Sequence, residues 1–494
     1  PQSGITISKT SGGAMTRKMW FALAVMALLG GIASAQDAKS VLQSATKTMG
    51  DVKSIQYSGT GHLSQLGQAF TPGGAYPETN VTSYMKTIDY ASRSAKEELT
   101  RVEQIPPVKG GSRPFAGEDK QVNFVNGQYA WDQPGSAPVP QVALADERQL
   151  QIWLTPHGFL KAAMENQAAA KKGTTGTVVS FTSGKFKVTG TIDAQNMVAR
   201  TETWLPNPVL GDMLVETTFS SYEDYNGVKF PSTIVQKQGG FPTFDLKVTG
   251  VKTNPGLSLS VPDAVKTAAI PPVKVVSQKI ADGTWFMGGG SHNSVLLEYP
   301  TYLVMIEAPL SEARSLAVIE EAKKLAPNKP IKYLINTHAH FDHTGGVRTY
   351  IAEGASVITN EINLPFYEKA FGAPRTLAPD MLSKDPKKPT FVPVKEKYAL
   401  DDGGRSLEIF HIDGDTHNAG LMMVYIPKEK ILVEADDFTP DAPGVPAPSG
   451  PRPRIFSSNL YKQVQRLKLD PTTVAPLHGV VVPFSDLKKV AGAA

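Results

Sequence analysis

The sequence predicts two domains of different class. A mainly antiparallel, curved-sheet α+β domain spans residues 37–262, and an α/β domain built as an αββα sandwich spans 275–494, with a linker at 263–274 between them. Two observations carry this. From Tyr57 to about Val261 the chain is a series of short β-prone segments with glycine turns, such as QVNFVNGQYAWD and MLVETTFSSYEDYNGVKFPSTIVQKQ, the pattern of an antiparallel sheet with one face on a core. Beyond residue 275, strand, helix and strand patterns alternate, which calls for two sheets with helices outside.

Ahead of the first domain, TRKMWFALAVMALLGGIASAQ has the basic start, apolar centre and Ala33-Ser34-Ala35 end of a secretory signal at 15–35, and the polar residues 1–14 read as an upstream remnant. Cleavage after Ala35 would send the chain to the periplasm or outside the cell and leave no stable membrane span. Setting aside Lys9, Arg17 and Lys18 takes the formal charge from +4 to +1, which gives no case for nucleic acid as a partner. The chain has no cysteine, so neither a disulfide nor a lipid-modified cysteine is available.

Residues 37–56 place Val41, Leu42, Ala45 and Met49 near a 3.6 period and predict one amphipathic helix. Asn126-Gly127 and Asn226-Gly227 are hairpin signals, and QLQIWLTPHGFLKAAMENQAAAKK is a helical stretch interrupted by Pro156. The sum is a one-sided sheet with one or two helices over its apolar face. It resembles the curved-sheet fold of periplasmic lipoprotein carriers, chiefly in YEDYNGVKFPSTI. Such a domain either shapes the mouth of an enzyme or binds a lipid or other envelope component. The proline- and alanine-rich stretch after Val261 is the linker, followed by two strands in KIADGTWFMGGGSHNSVLLEY and YLVMIEAP. SEARSLAVIEEAKKLAP is an amphipathic helix with Ala313, Leu316, Ile319 and Leu325 apolar, and residues 361–400 are irregular. The cluster Leu364, Phe366, Tyr367, Phe371 within them makes a candidate substrate-facing flap.

The chemistry centres on THAHFDHTGG, residues 337–346, at the end of the apolar run KPIKYLIN. His338 and His340 alternate as they leave the strand, and Asp342 and His343 turn back toward them once the chain curls into a helix. Three imidazoles and a carboxylate within six residues suit Zn²⁺, and Fe²⁺ or Mn²⁺ take the same donors. Gly345 and Gly346 allow close packing where the helix begins.

HAHFDH matches the HxHxDH signature of the metallo-β-lactamase fold, and the resemblance extends over residues 275–490. It implies three further ligands. His417, in HNAG, resembles the histidine of the family's H-T-x-G segment and is preferred to His411, which sits inside a strand. Asp436, after Ala435, resembles the aspartate that bridges two metals, while Asp437 faces elsewhere, and His478 resembles the terminal histidine. One cation would then take His338, His340 and His417, and a second Asp342, His343 and His478, with Asp436 between them. A bridging aspartate resembles glyoxalase II, and Glu307 stands where the family usually carries an aspartate that supports the metal loop. The resemblance implies a dinuclear-metal hydrolase that directs a bridging hydroxide at a small-molecule ester, thioester, lactone or amide, with Asp342 as a catalytic residue, and the signal segment makes it an exported one. His292, in GGGSHNS on the hairpin after the first strand, is a further catalytic candidate from its position, with a structural histidine as the alternative. β-Lactamase, alkylsulfatase, phosphodiesterase and iron-dependent dioxygenase activity are the alternatives, along with a lipid- or envelope-binding role.

Overall fold

The protein is described by a computed structural model over residues 37–104, 109–111, 115, 117–440 and 455–492. The signal and upstream segments expected at 1–35 lie outside the described residues.

The first domain is a single antiparallel sheet, thirteen strands among the described residues, running from Ser54–Ser64 to Phe241–Thr253. Those first and last strands pair at the middle of the sheet, so the chain winds outward from the centre and returns. Helices α1 (37–49), α2 (Ala145–Trp153) and α3 (Pro156–Glu165) cover its apolar face. Leu42, Met49, Leu150, Phe159 and Leu160 meet Ile55, Ile88, Val188, Val215 and Phe230 there. The first helix is shorter than 37–56: it stops at residue 49, where Gly50 turns with φ +79°, and Ser54 already opens a strand. Pro156 starts α3 rather than bending one long helix, because a proline at the first helical position forfeits no hydrogen bond. The tail Ala169–Lys172 is an edge strand, not helix. Asn226 and Gly227 both take positive φ in the hairpin that joins Gly211–Asp224 to Lys229–Gln238.

The second domain stacks two sheets. One has seven strands from Val276–Ala281 to Phe391–Val394, and the other six from Lys397–Asp402 to Val482–Pro483. The opening region folds into four strands rather than two. Alternation along each strand divides two cores: Val304 and Ile306 face the second sheet, at Ile409, Val424 and Val433, whereas Leu303 and Met305 face the helices.

α4 (Asp263–Lys266), in the stretch expected as linker, packs Val265 against Phe124 and Trp131 of the first domain. Outside the first sheet of the sandwich lie α5 (Glu312–Leu325), α6 (Phe341–Thr344), α7 (Val347–Glu353) and α8 (Leu364–Phe371). α5 buries Arg314, Ser315, Val318, Ile319 and Ala322, and leaves Leu316 exposed, so its inner face is rotated from the one the apolar residues alone predict. Arg314 causes the rotation. Its guanidinium donates to the carbonyls of Lys274, Met287 and Gly288 at 2.6–2.9 Å and so faces inward. Residues 361–400 are also more ordered than expected, with α8, a turn at Met381–Lys384 and the strand Phe391–Val394.

Candidate metal centre

The proposed ligands meet where strands of both sheets end. The parallel strands Leu303–Ile306 and Ile331–Ile335 release Glu307 and residues 336–340 side by side. In the other sheet, Ile431–Glu434 and Thr473–Pro476 are parallel and release Asp436 and His478. α6 then turns Asp342 and His343 back beneath His338. Close packing at the end of this turn requires glycine: a Cβ on Gly345 would lie 2.2 Å from the Leu310 carbonyl oxygen.

Two clusters result. In one, donor atoms of His338, His340 and His417 lie within 4.8 Å of one another, and in the other those of His292, Asp342, His343 and His478 do. His338 Nε2 and His417 Nε2 are 3.3 Å apart, and His343 Nε2 and His478 Nε2 are 3.0 Å apart. Asp436 sits between the clusters. Its Oδ2 is 2.9 Å from His343 Nε2 and 3.8 Å from His338 Nε2, and its Oδ1 is 3.2 Å from His478 Nε2 and 3.8 Å from His417 Nε2. The backbone there has φ +91°, a conformation that a residue with a Cβ rarely adopts.

A surrounding set of groups fixes the imidazoles. Glu307 Oε2 accepts from His343 Nδ1 at 3.1 Å and from the Thr337 hydroxyl, and Glu307 Oε1 accepts from Asn336 Nδ2 at 2.7 Å. The glutamate thereby leaves His343 Nε2 to face Asp436. Asp415 accepts from the backbone N–H groups of His417 and Asn418 at 2.6 and 3.0 Å, forming the turn that presents His417. His340 donates through Nε2 to the Ala69 carbonyl at 3.1 Å, and its buried Nδ1 has no hydrogen-bond partner.

The electrostatics match a cation site. Burial opposes ionisation of Asp436, yet His478, His343 and His417 outweigh it and hold the carboxyl well below the usual range. Asp342 is lowered in the same way, against burial, by His343 and His292. Burial pushes the imidazole of His338 well below its ordinary value, and that of His340 down to about 3. His343 is the exception: Asp436 and Asp342 overcome its burial and raise it well above the ordinary value, so the carboxylates draw positive charge to that position. Ionised carboxylates, the neutral imidazoles of His338 and His340, and an orphaned buried His340 Nδ1 fit divalent cations held by nitrogen and oxygen.

Of the residues proposed from sequence, His338, His340, Asp342, His343, His417, Asp436 and His478 are together. His292 joins the second cluster, with Nε2 3.1 Å from Asp342 Oδ2 and Nδ1 2.8 Å from Ser291 Oγ. His411 lies apart and pairs with the Ala419 carbonyl. Asp437 is buried away from the clusters, where burial and the neighbouring Asp415 and Glu434 push its carboxyl well up. The flap expected at Phe366 and Tyr367 divides: Tyr367 is fully buried and its hydroxyl donates to Asn336 Oδ1, bracing the metal loop from behind, whereas Phe366 is half-buried and lines an open groove with Ala339 and Phe341. Sequence reasoning missed Gln68, whose Nε2 donates to Asp342 Oδ1 at 2.8 Å from the first domain, because a lone glutamine in a loop carries no signal.

Residues 287–478 match the family model of the metallo-beta-lactamase superfamily, and the second domain is a domain of that superfamily. Its members are generally metal-dependent hydrolases, and some are oxidoreductases. A curated relative, 2,4-dinitroanisole O-demethylase subunit alpha of Nocardioides sp. (strain JS1661), is 21% identical over 163 residues, which is 33% of this chain and 46% of that protein, so the match spans about half the relative's length. Similar solved structures include a metallo-beta-lactamase from Pontibacter korlensis, with 19% identity, TM-score 0.34, and coverage of 44% of this chain and 98% of that one. Rubredoxin oxygen:oxidoreductase from Desulfovibrio gigas is similar at 18% identity and TM-score 0.35, over 44% of this chain and 61% of that one.

Proposed function

We propose that the chain is an exported hydrolase that holds two divalent cations, preferentially Zn²⁺, and cleaves a small ester, thioester, lactone or amide. The observation that carries this reading is Asp436, whose two carboxylate oxygens lie between two separate groups of donors, each oxygen near a histidine of either group. His338, His340 and His417 would hold one cation, and Asp342, His343 and His478 the other. When bound, the cations would polarise a substrate oxygen and lower the pKa of water enough to furnish a nucleophile near neutral pH.

The chain's own groups supply the rest. Glu307 and the Ala69 carbonyl hold protons on His343 Nδ1 and His340 Nε2, keeping the opposite nitrogens available as ligands. Asp342 and His292 share a proton-bearing contact at 3.1 Å, and neither is fully buried, which suits them to orient water and pass its proton outward. Export rests on the segment at 15–35. The demethylase named among the relatives adds aryl methyl ethers to the bonds worth testing.

The test is metal analysis of protein purified without added metal, followed on the same sample by lactam, lactone, thioester, sulfate-ester, phosphodiester and aryl ether substrates. Two zinc ions with ester or lactone turnover support the proposal. Iron with oxygen uptake would replace hydrolysis by oxidation.

A second reading, binding of an apolar ligand by the first domain, is favoured by a cavity of about 340 Å³ under α2 and α3. Phe219, Phe230 and Phe244 line it, together with the Lys86–Glu97 ion pair, at 3.0 Å, and the polar side chains of Gln121, Gln151 and Gln236.

A further inference from the structure

The first domain reaches the metal centre chiefly through residues 67–70, and Gly110 N adds a bond to the Thr416 carbonyl, beside His417, at 2.9 Å. Phe341 N donates to the Gly67 carbonyl at 3.2 Å, and Gln68 Nε2 to Asp342 Oδ1 at 2.8 Å. His340 Nε2 and Asn418 Nδ2 both donate to the Ala69 carbonyl, at 3.1 and 3.2 Å, and Ala419 N donates to the Phe70 carbonyl at 2.9 Å. Four consecutive residues of one domain thus touch two of the ligand-bearing loops of the other, those of His338–His343 and His417. The approach is close enough that a Cβ on Gly67 would lie 2.5 Å from the Phe341 ring.

Two of these contacts decide which ligand atoms face the centre. Asp342 has two chemically equivalent oxygens, and Gln68 occupies Oδ1, leaving Oδ2 toward His292 at 3.1 Å and His343 at 3.9 Å. His340 has two ring nitrogens. The Ala69 carbonyl takes the proton on Nε2 and leaves Nδ1 as the buried nitrogen without a partner.

We propose that Gln68 is a positioning residue of the metal centre, contributed by the first domain, and that with the Ala69 carbonyl it makes that domain part of the cation site. This rests on the dinuclear reading above. It assigns the first domain a role in building the centre whether or not its own cavity takes a ligand. Outer-sphere partners of metal ligands are worth roughly 10–100-fold in metal affinity, which sets the expected effect.

The experiment is a Zn²⁺ titration of the full chain, stripped with chelator and read by competition with a chromophoric chelator. It compares the parent with Gln68→Met and Gln68→Leu, both of which fill similar space without a donor. Thr376→Val serves as a control: its hydroxyl bonds Asp212 at 2.6 Å elsewhere on the same domain interface, away from any proposed ligand. The proposal expects both Gln68 variants to bind one of the two cations about 10–100-fold more weakly, to melt with the parent when stripped, and to show an altered visible spectrum with Co²⁺. Thr376→Val should bind like the parent. Parent-like affinity in both Gln68 variants overturns the proposal and leaves the dinuclear reading standing. An equal loss in Thr376→Val, or a loss only in variants that also melt early when stripped, reduces Gln68 to general docking and overturns it too. A parent that binds no cation overturns both readings.

Discussion

Asp436 and Asp437 are adjacent carboxylates with opposite fates. The first is held ionised among imidazoles, and the second is pushed toward the neutral acid by burial beside Asp415 and Glu434. Exchanging each for asparagine separates the two roles. Asp436→Asn should lower cation content from two per chain to one or fewer and reduce turnover by more than about 100-fold, beyond the cost of an outer-sphere change. Asp437→Asn, which mimics the neutral acid, should retain both cations, and elemental analysis of the two variants checks the pair. Glu307→Ala would strand His343 Nδ1 in a site that is fully buried, at a cost of about 1–3 kcal/mol, readable as a fall in melting temperature. At this scale legibility follows chain distance. His338, His340, Asp342 and His343 fall within six residues of one another, where the strand end leads into α6, and that spacing brings them together. Gln68 is 274 residues from its partner Asp342, and no local pattern marks a residue whose importance comes from how two domains dock.

Among the elements, strands and their alternation were readable because period two leaves little choice of face. α5 was misread by its apolar residues, since a buried arginine that satisfies three backbone carbonyls counts as polar in any periodicity. α8 was missed because Pro365 and its short span suggest a loop, although proline in a first turn is compatible with a helix. α3 illustrates a pH consequence. His157, in its first turn, lies flat against Phe230 with ring centroids 6.2 Å apart, and its Nε2 is 3.4 Å from the Met49 carbonyl at the end of α1. Burial lowers its imidazole from 6.5 to about 4. Between those values the unfolded chain takes up a proton that the folded chain refuses, so stability from this residue is complete above pH 6.5 and falls as pH drops toward about 4. The loss should reach about 3 kcal/mol. His157→Gln, which stays neutral, should flatten that part of the profile, and urea unfolding midpoints from pH 7 to 4 check it. A variant with the same slope as the parent would place the acid sensitivity elsewhere.

For the molecule as a whole, the question is whether the two domains behave as one body. Among the described residues, no helix is long and apolar enough to cross a membrane. Among the described residues, the main hydrogen bonds between the domains fall into two groups. One is residues 67–70 at the metal loops, joined there by Gly110 N to the Thr416 carbonyl at 2.9 Å. The other is a clamp in which Arg375 donates to the carbonyls of Pro208 and Val209 at 3.2 and 2.7 Å, while Asp212 accepts from Thr376 and Leu377. Val209 itself is fully buried in the core between the first sheet of the sandwich and its helices, so a residue of one domain completes the packing of the other. Between the two groups lies a groove of about 470 Å³ walled by Tyr76, Trp204, Phe241, Phe341 and Phe366, which leaves the contacts on either side to carry the coupling. Arg375 is the natural point to cut. Its side chain is 4% exposed and also pairs with Asp380 at 3.3 Å, and Asp380 keeps Arg348 at 2.5 Å when Arg375 is lost. Arg375→Ala should therefore cost about 2–4 kcal/mol, somewhat less than a fully broken buried pair, and the loss should fall on domain coupling more than on either core. In scanning calorimetry the parent should unfold in one transition, with the variant showing two or a single broadened one, and stripping metal from the parent should move it partway toward the same profile because residues 67–70 then hold looser ligands. If Arg375→Ala instead unfolds in one sharp transition within a degree of the parent, the clamp contributes nothing to coupling, and the docking at the metal loops would have to hold the domains together alone.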